Sequence, residues 1–201
     1  MIRILVVEDQ VLFLGALAGL IDLESDFTIV GRAQNGKIAY DMIEDCHPDL
    51  IITDIEMPEM SGIDLAIQLQ SIEQKPKLLI VTTFARAGYL QRALDAGVSG
   101  YVLKDTPSEE LAEIVRKVMS GTTYISPELR ERPETLIEDP LSEREREILR
   151  LVEVGLSNAE IAEKLRKATG TIRNNLHIAT QKIGCRNRIE AARISRSNGW
   201  L

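Results

Sequence analysis

The sequence has no long hydrophobic run and no cluster of cysteines and histidines. Its longest apolar stretches, such as residues 78–81, are far shorter than the ~20 residues that cross a bilayer. Acids arrive as early as Glu8 and Asp9, which is unlike a secretory signal. Cys46 and Cys185 stand far apart without a CxxC motif, so we expect free thiols in a reducing compartment. These absences predict a cytoplasmic protein without direct membrane contact.

Charge is divided unevenly along the 201 residues, a length that suits one medium and one small domain. Residues 1–130 carry 11 basic and 20 acidic side chains, whereas residues 164–201 carry nine basic side chains and one acid. Such asymmetry predicts an acidic module joined to a module that meets a polyanion. The alternative is that the basic residues form an ordinary solvated helical face.

Short apolar runs alternate with amphipathic stretches through the first 120 residues. Strand-like runs occupy residues 2–7, 28–31, 50–53, 78–82 and 100–103, and helical patterns occupy residues 10–23, 36–45, 61–70, 88–96 and 107–119. Five such units in alternation predict a doubly wound α/β domain, an open parallel sheet with helices on both faces. Thr106 followed by Pro107 and Glu109 predicts a capping box at the start of the last helix.

The pattern changes after residue 121. Residues 122–139 contain two prolines and little periodicity, which predicts a linker with one short helix. Later segments are helical, and Ser142 and Ser157 each precede a glutamate by three residues, which predicts two capping boxes. We therefore predict an α/β domain at 1–121, a linker at 122–139 and an all-α domain at 140–201.

Polar residues follow four of the predicted strands. Glu8 and Asp9 follow the first strand, Asp54 follows the third, and the fourth and fifth end at Thr82 and Lys104. Because parallel strands end at one edge of a sheet, we expect these side chains to converge. Three carboxylates repel one another unless a cation joins them, and Mg²⁺ prefers such oxygen ligands. The alternative for any single acid is a helix cap or a solvated side chain.

A carboxylate in this position could act as a nucleophile toward a phosphoryl group, with Lys104 and Thr82 contacting phosphoryl oxygens. The segments VVEDQ, DLIITDIEMPEMSG, VTT and GYVLKD resemble the flavodoxin/CheY-like receiver domain of two-component response regulators, over residues 1 to about 121. The resemblance implies that Asp54 is the phosphoacceptor for a sensor histidine kinase. It also implies that Thr82 and Tyr101 form a switch.

The same resemblance implies a set of Mg²⁺ ligands, namely Glu8, Asp9, Asp54 and the backbone carbonyl of Glu56. One residue departs from the pattern, because Asp105 stands where many receivers have a proline.

The C-terminal segment predicts a helix-turn-helix from helical patterns at 158–166 and 170–183. One face of the second helix is apolar, with Ile172, Leu176, Ala179 and Ile183. The opposite face carries side chains suited to base edges and phosphates in a major groove, namely Arg173, Asn174, His177 and Gln181. The alternative is an amphipathic helix with an ordinary solvated face.

The segments LSEREREIL, GLSNAEIAEKL, GTIRN and NRIEAARI are similar to the four-helix LuxR/NarL-type DNA-binding domain, over roughly residues 138–201. The resemblance implies contacts with double-stranded promoter DNA from Arg173, Asn174, His177 and Lys182, and a dimer contact at residues 188–196. Lys167 and Ala168 depart from the usual apolar residue and serine cap, and Ala179 is smaller than usual. We therefore expect a marginally stable DNA-binding domain.

Both resemblances together predict a DNA-binding transcriptional response regulator that forms a homodimer when phosphorylated. Exposed apolar residues of the first and fifth helices are one candidate dimer face, and the surface of helix four, strand five and helix five is its rival. Residues 84–104 and the GWL ending resemble a Gram-positive subgroup of these regulators.

Two other function classes stay open. One is a phosphatase or phosphotransferase enzyme, which would need an acid or base beside Asp54, yet residues 48–121 contain no histidine and offer only Glu56. The other is a protein-interaction module whose helix-turn-helix no longer binds DNA. We expect a phospho-accepting regulator and no enzyme in the ordinary sense.

Overall fold

A computed structural model describes residues 1–83, 87–130 and 139–201 of the chain. The chain forms two compact units, one built on a parallel sheet and one built from C-terminal helices. Within these ranges no helix is both long and apolar enough to span a membrane.

A parallel sheet forms the centre of the first unit, with the strand order β2-β1-β3-β4-β5-β6. Its strands are β1 (Ile2–Val7), β2 (Phe27–Ala33), β3 (Leu50–Thr53), β4 (Lys77–Thr82), β5 (Gly100–Leu103) and β6 (Tyr124–Ile125). β3 is buried along its whole length, as expected for a strand covered on both faces. The order reverses between β1 and β3, which creates a crevice at their carboxyl ends.

Five helices accompany this sheet: α1 (Val11–Ile21), α2 (Gly36–Cys46), α3 (Gly62–Leu69), α4 (Ala87–Asp95) and α5 (Ser108–Met119). Ile4 and Val6 of β1 belong to one apolar cluster with residues of α1 and α5. The alternate residues, Leu5 and Val7, point to the opposite face because side chains alternate along a strand. α2, which contacts β1, β2 and α3, lies on that side. The doubly wound α/β prediction is confirmed.

The sequence pattern did not predict β6. It pairs with β5 through Gly100↔Tyr124 and Tyr101↔Ile125, and so adds a short edge strand to the sheet. A short helix, α6 (Pro127–Arg130), follows it. Both elements fall within the predicted linker, residues 122–139, and residues 131–138 of that range lie outside the described residues.

The predicted start of α5 was wrong. The helix begins at Ser108, Pro107 is the N-cap residue, and no side chain caps it. The amide of Thr106 instead donates a hydrogen bond to the carbonyl of Leu103 at 3.1 Å. Thr106 therefore belongs to a turn after β5.

Among residues 139–201, which the structure describes, the second unit has four helices: α7 (Glu143–Glu153), α8 (Asn158–Lys164), α9 (Thr169–Ile183) and α10 (Arg188–Ser197). Their apolar faces share one buried core, which includes Ile148, Ile161, Ile172 and Ala191. The all-α four-helix prediction is confirmed.

The predicted capping boxes are present at both Ser142 and Ser157. By contrast, α9 begins at the N-cap Ala168, which is extended at φ −71 and ψ 143 and makes no side-chain cap bond. Losing such a cap costs a helix about 1 kcal/mol, so α9 starts less favourably than its neighbours.

Candidate functional site

The strand register brings the predicted site residues to one edge of the sheet. Val7 pairs with Thr53, so the next residues, Glu8 and Asp54, leave their strands side by side. The amide of Asp54 donates to the carbonyl of Val7 at 3.1 Å, and the amide of Lys104 donates to the carbonyl of Thr82 at 2.9 Å. The rule that parallel strands end together therefore places all four polar residues correctly.

Lys104 lies between two carboxylates. Its Nζ is 2.7 Å from Glu8 Oε2 and 2.7 Å from Asp54 Oδ2. The three side chains are only 10%, 1% and 6% exposed, respectively, so water screens these contacts poorly. The other Asp54 oxygen, Oδ1, accepts a 2.6 Å hydrogen bond from the amide of Ile55, which fixes the plane of the carboxylate.

Burial sets the electrostatics of this cluster. Burial raises the pKa of Glu8 above its usual value, and repulsion from Asp54 adds to this, although the hydrogen bond from Lys104 acts in the opposite direction. Burial also tends to lower the pKa of Lys104, but its bonds to Asp54 and Glu8 prevail and raise that pKa. The lysine therefore stays charged, and it neutralises part of an acidic site.

Three carboxylates of this cluster could hold a metal ion. Glu8, Asp9 and Asp54 each offer an oxygen, and these oxygens lie within 4.8 Å of one another. Glu8 and Asp54 are buried, whereas Asp9 is exposed and leaves one side open to water and ligands. An all-oxygen set with an open side is what Mg²⁺ prefers, so the donor set fits that ion. Glu56, whose carbonyl is a predicted ligand, lies half-buried in the loop after β3.

A set of contacts that sequence reasoning missed holds this loop. Asn35 accepts a 2.8 Å hydrogen bond from the amide of Ile38 as the cap of α2, and its Nδ2 donates to Glu59 Oε1 at 3.1 Å. Glu59 has φ +63, which non-glycine residues rarely adopt. A Cβ on Gly62 would lie 2.0 Å from the carbonyl oxygen of Asp54. The Asn-Gly pair before a helical pattern was the available signal for a cap.

Phe13 is a second residue that sequence reasoning did not place in the site. It lies on α1, half-buried, and Lys104 Nζ stands 4.3 Å from the centre of its ring. An apolar cavity of about 110 Å³ adjoins the ring, and Leu17, Leu20 and Leu111 are among its lining residues. The ammonium group therefore contacts an aromatic face as well as two carboxylates.

Thr82 and Tyr101, the predicted switch pair, are both fully buried. They belong to the neighbouring strands β4 and β5, where Ile80 pairs with Tyr101 and Thr82 pairs with Leu103. They are therefore close to each other, and the backbone of Thr82 contacts that of Lys104 directly. Their role as a switch stays a prediction.

In the second unit, α9 has the predicted division of faces. Ile172, Leu176 and Ala179 are buried, and the opposite face exposes Arg173, Asn174, His177 and Gln181. A helix of this kind can enter a major groove with its donor side chains free to contact bases and phosphates.

Lys182 already has a partner within the second unit. Its Nζ donates to Glu145 Oε2 at 2.8 Å, and the Glu145 side chain is only 5% exposed. Burial raises the pKa of Glu145, but hydrogen bonds from Lys182 and Ser142 outweigh burial and hold that pKa below its usual value. A phosphate contact by Lys182 would therefore compete with a partly buried ion pair.

Comparison with known proteins agrees with both units. Residues 4–116 match the response regulator receiver domain, and residues 139–195 match the luxR family of bacterial regulatory proteins. The chain belongs to the LuxR-class response regulators. It is thus a DNA-binding transcriptional regulator of a two-component system rather than an ordinary enzyme.

Relatives of this response regulator share its full length. The transcriptional regulatory protein DesR of Bacillus subtilis (strain 168) is 45% identical over 201 residues, covering 100% of both chains. The uncharacterized transcriptional regulatory protein YvfU of the same strain is 44% identical over 201 residues, again covering 100% of both. The structure of ChrA, a response regulator of a heme-sensing two-component system, is 31% identical with a TM-score of 0.58, covering 100% of this chain and 98% of that one.

Proposed function

We propose that Asp54 is the phosphoacceptor of this regulator and that a sensor histidine kinase supplies the phosphoryl group in the cytoplasm. The observation that carries this proposal is the placement of Asp54. It is a buried strand-end carboxylate, 2.7 Å from a lysine, in a cluster of three acids that opens to water through Asp9. A nucleophile that must accept a phosphoryl group needs cations beside it and access from one side.

The chemistry follows from these contacts. An oxygen of Asp54 attacks the phosphorus of a phosphohistidine, an O–P bond forms, and the P–N bond breaks with its electron pair left on the imidazole. Lys104 Nζ then donates to a phosphoryl oxygen instead of Asp54 Oδ2, and the Thr82 hydroxyl donates to another. Movement of Thr82 toward the phosphoryl group would be followed by Tyr101, the second member of the proposed switch.

We assign Mg²⁺ to the acidic cluster, with Glu8, Asp9, Asp54 and the carbonyl of Glu56 as its ligands. When bound, the ion offsets negative charge on the carboxylates and on the incoming phosphoryl group. The residues of the chain do the rest, since the amide of Ile55 orients Asp54 and Lys104 supplies a second positive charge.

The proposed output is a homodimer on promoter DNA, because two recognition helices one DNA turn apart read a palindromic site. Arg173, Asn174 and His177 are the proposed base and phosphate contacts, with Lys182 as a further phosphate contact. α1 is the better-supported dimer face, since Leu12, Ala16 and Leu20 are exposed at a spacing of four residues along one side of the helix, with Leu12 and Leu20 87% and 47% exposed. The surface of α4, β5 and α5 is the rival.

Promoter binding with and without a phosphodonor tests the switch. Acetyl phosphate with Mg²⁺ should tighten DNA binding of the wild-type chain and leave Asp54→Asn unchanged. Asp41→Asn is the matched control, because Asp41 pairs with Lys37 on an exposed helix surface and should not affect the response. Equal responses of Asp54→Asn and the wild type would exclude Asp54 as the switch.

A salt titration tests the DNA contacts. Each phosphate contact contributes about −0.9 to the slope of log affinity against log salt, so losing one flattens the slope by that amount. Arg173→Gln and Lys182→Gln should each flatten the slope if both side chains contact phosphates. An unchanged slope for Lys182→Gln would show that Lys182 serves the ion pair with Glu145 and not the DNA.

A further inference from the structure

We propose that Phe13 is a positioning residue of the phosphoacceptor site, whose ring holds the ammonium group of Lys104 beside Asp54. The inference rests on the proposed function of Asp54 and adds a residue to it. Phe13 acts on the position of Lys104 and need not touch the phosphoryl group itself.

The geometry of Lys104 explains why it needs such a residue. A lysine carries its charge on a flexible four-carbon chain with many rotamers, so each further contact of the ammonium group narrows the rotamers it can adopt. The Phe13 ring is a third contact of Nζ, with 4.3 Å between Nζ and the ring centre. Ammonium groups within about 6 Å of an aromatic face are attracted to it, the more so when water is excluded. The Lys104 side chain is 10% exposed, so water is largely excluded here.

The ring contact also suits the exchange of partners that phosphorylation requires. Lys104 Nζ must leave Asp54 Oδ2 and donate to a phosphoryl oxygen, so its hydrogen bonds change during the reaction. Attraction to an aromatic face does not depend on which oxygen accepts the hydrogen bond. Phe13 can therefore hold Nζ near the site before and after transfer, which reduces the orientational cost of reaching the reactive arrangement.

Packing alone would not need an aromatic residue at this position. The neighbouring cavity of about 110 Å³ has leucines and alanines among its lining residues, and a leucine at position 13 would suit those neighbours as well. If Phe13 were only a packing residue, a leucine would keep the phosphorylation rate and change stability alone. The two explanations therefore differ in what Phe13→Leu does to the rate.

The experiment uses the full-length chain with acetyl phosphate and Mg²⁺, and measures the rate of Asp54 phosphorylation. Phe13→Leu should slow phosphorylation about two- to fivefold, which corresponds to about 0.5–1 kcal/mol for a lysine–aromatic contact. Phe13→Tyr keeps the ring face and should restore the wild-type rate. Phe27→Leu is the matched control, because it removes another ring under a cation, with 4.9 Å between the Arg116 guanidinium carbon and the Phe27 ring centre. It should affect stability and leave the rate unchanged.

A double-mutant cycle shows whether Phe13 acts through Lys104. In a Lys104→Met background, Phe13→Leu should have no further effect on the rate or on the affinity for fluoroberyllate with Mg²⁺. The proposal would be overturned if the effects of the two changes on the rate multiplied. It would also be overturned if Phe13→Leu were phosphorylated at the wild-type rate, or if Phe13→Tyr were phosphorylated more slowly than the wild type. A wild-type chain that acetyl phosphate does not modify at Asp54 would instead refute the proposed function.

Discussion

Replacing Lys104 by methionine should destabilise the sheet unit strongly in the absence of metal. The change leaves Glu8 and Asp54, whose side chains are 1% and 6% exposed, without their shared cation. Breaking a buried ion pair from one side costs about 3–5 kcal/mol. Because the pKa of Glu8 is already raised by burial, this acid can take up a proton, and we expect the lower end, about 3 kcal/mol. The melting temperature of this unit should fall by about 10 °C.

Calorimetry in EDTA and in Mg²⁺ measures this effect, with Lys37→Met as the control. Lys37 also lies 2.7 Å from a carboxylate, on Asp41, but the two side chains are 51% and 58% exposed. Its loss should change stability by no more than about 0.5 kcal/mol. Mg²⁺ should stabilise Lys104→Met more than the wild type, because the metal would replace the missing positive charge. A Lys104→Met chain as stable as the wild type in EDTA would refute the reasoning.

The pH dependence of this variant has a defined sign. Without Lys104, the folded-state pKa of Glu8 loses the hydrogen bond that lowers it and should rise further above its unfolded value. A group with a raised folded-state pKa stabilises the fold below its unfolded pKa, and that stability is lost as pH rises. The deficit of Lys104→Met should therefore shrink as pH falls from neutral toward the ordinary pKa of a glutamate, as urea unfolding at several pH values would show.

Four further substitutions test other parts of the structure. Ala168→Ser should stabilise the helical unit by about 1 kcal/mol by capping α9, whereas Ser157→Ala should lose about as much; equal melting temperatures would contradict this. Glu145 has a lowered pKa in the folded state, so it stabilises the fold at pH values above its unfolded-state pKa. This stabilisation is lost as pH falls through its folded-state pKa. Lys182→Gln should weaken this acid sensitivity in unfolding titrations. Asn35→Ala should lower the free energy of unfolding in urea by about 1–2 kcal/mol, because it removes the cap of α2 and the hydrogen bond to Glu59. A change under about 0.5 kcal/mol, the scatter of surface substitutions, would contradict this prediction.

The sequence predicted the sheet and the edge where the site lies because both depend on local pattern. Runs such as residues 50–53 identify strands that are buried on both faces, and parallel strands must end together. β6 escaped prediction because two residues, Tyr124 and Ile125, are too few to show a period. The role of Thr106 was predicted wrongly because the same residue types can cap a helix or close a turn. The preceding strand determines which of the two they do.

The support of the site could not be predicted from local pattern. Phe13 and Lys104 are far apart in sequence, and whether they meet depends on the rotation of α1 against the sheet. The Asn35–Glu59 contact likewise depends on the path of the loop after β3. The sequence thus identifies the chemistry of a site more readily than the residues that hold it in place.

The pairing of Val7 with Thr53 has a consequence for how this regulator can fail. Successive residues of a strand point to opposite faces, so a slip of one residue between β1 and β3 would turn side chains away from their partners. Glu8 and Asp54 would then no longer meet, and the proposed phosphoryl and metal site would be lost. Under the proposed role of Asp54, a copy misfolded in this way would not respond to a phosphodonor.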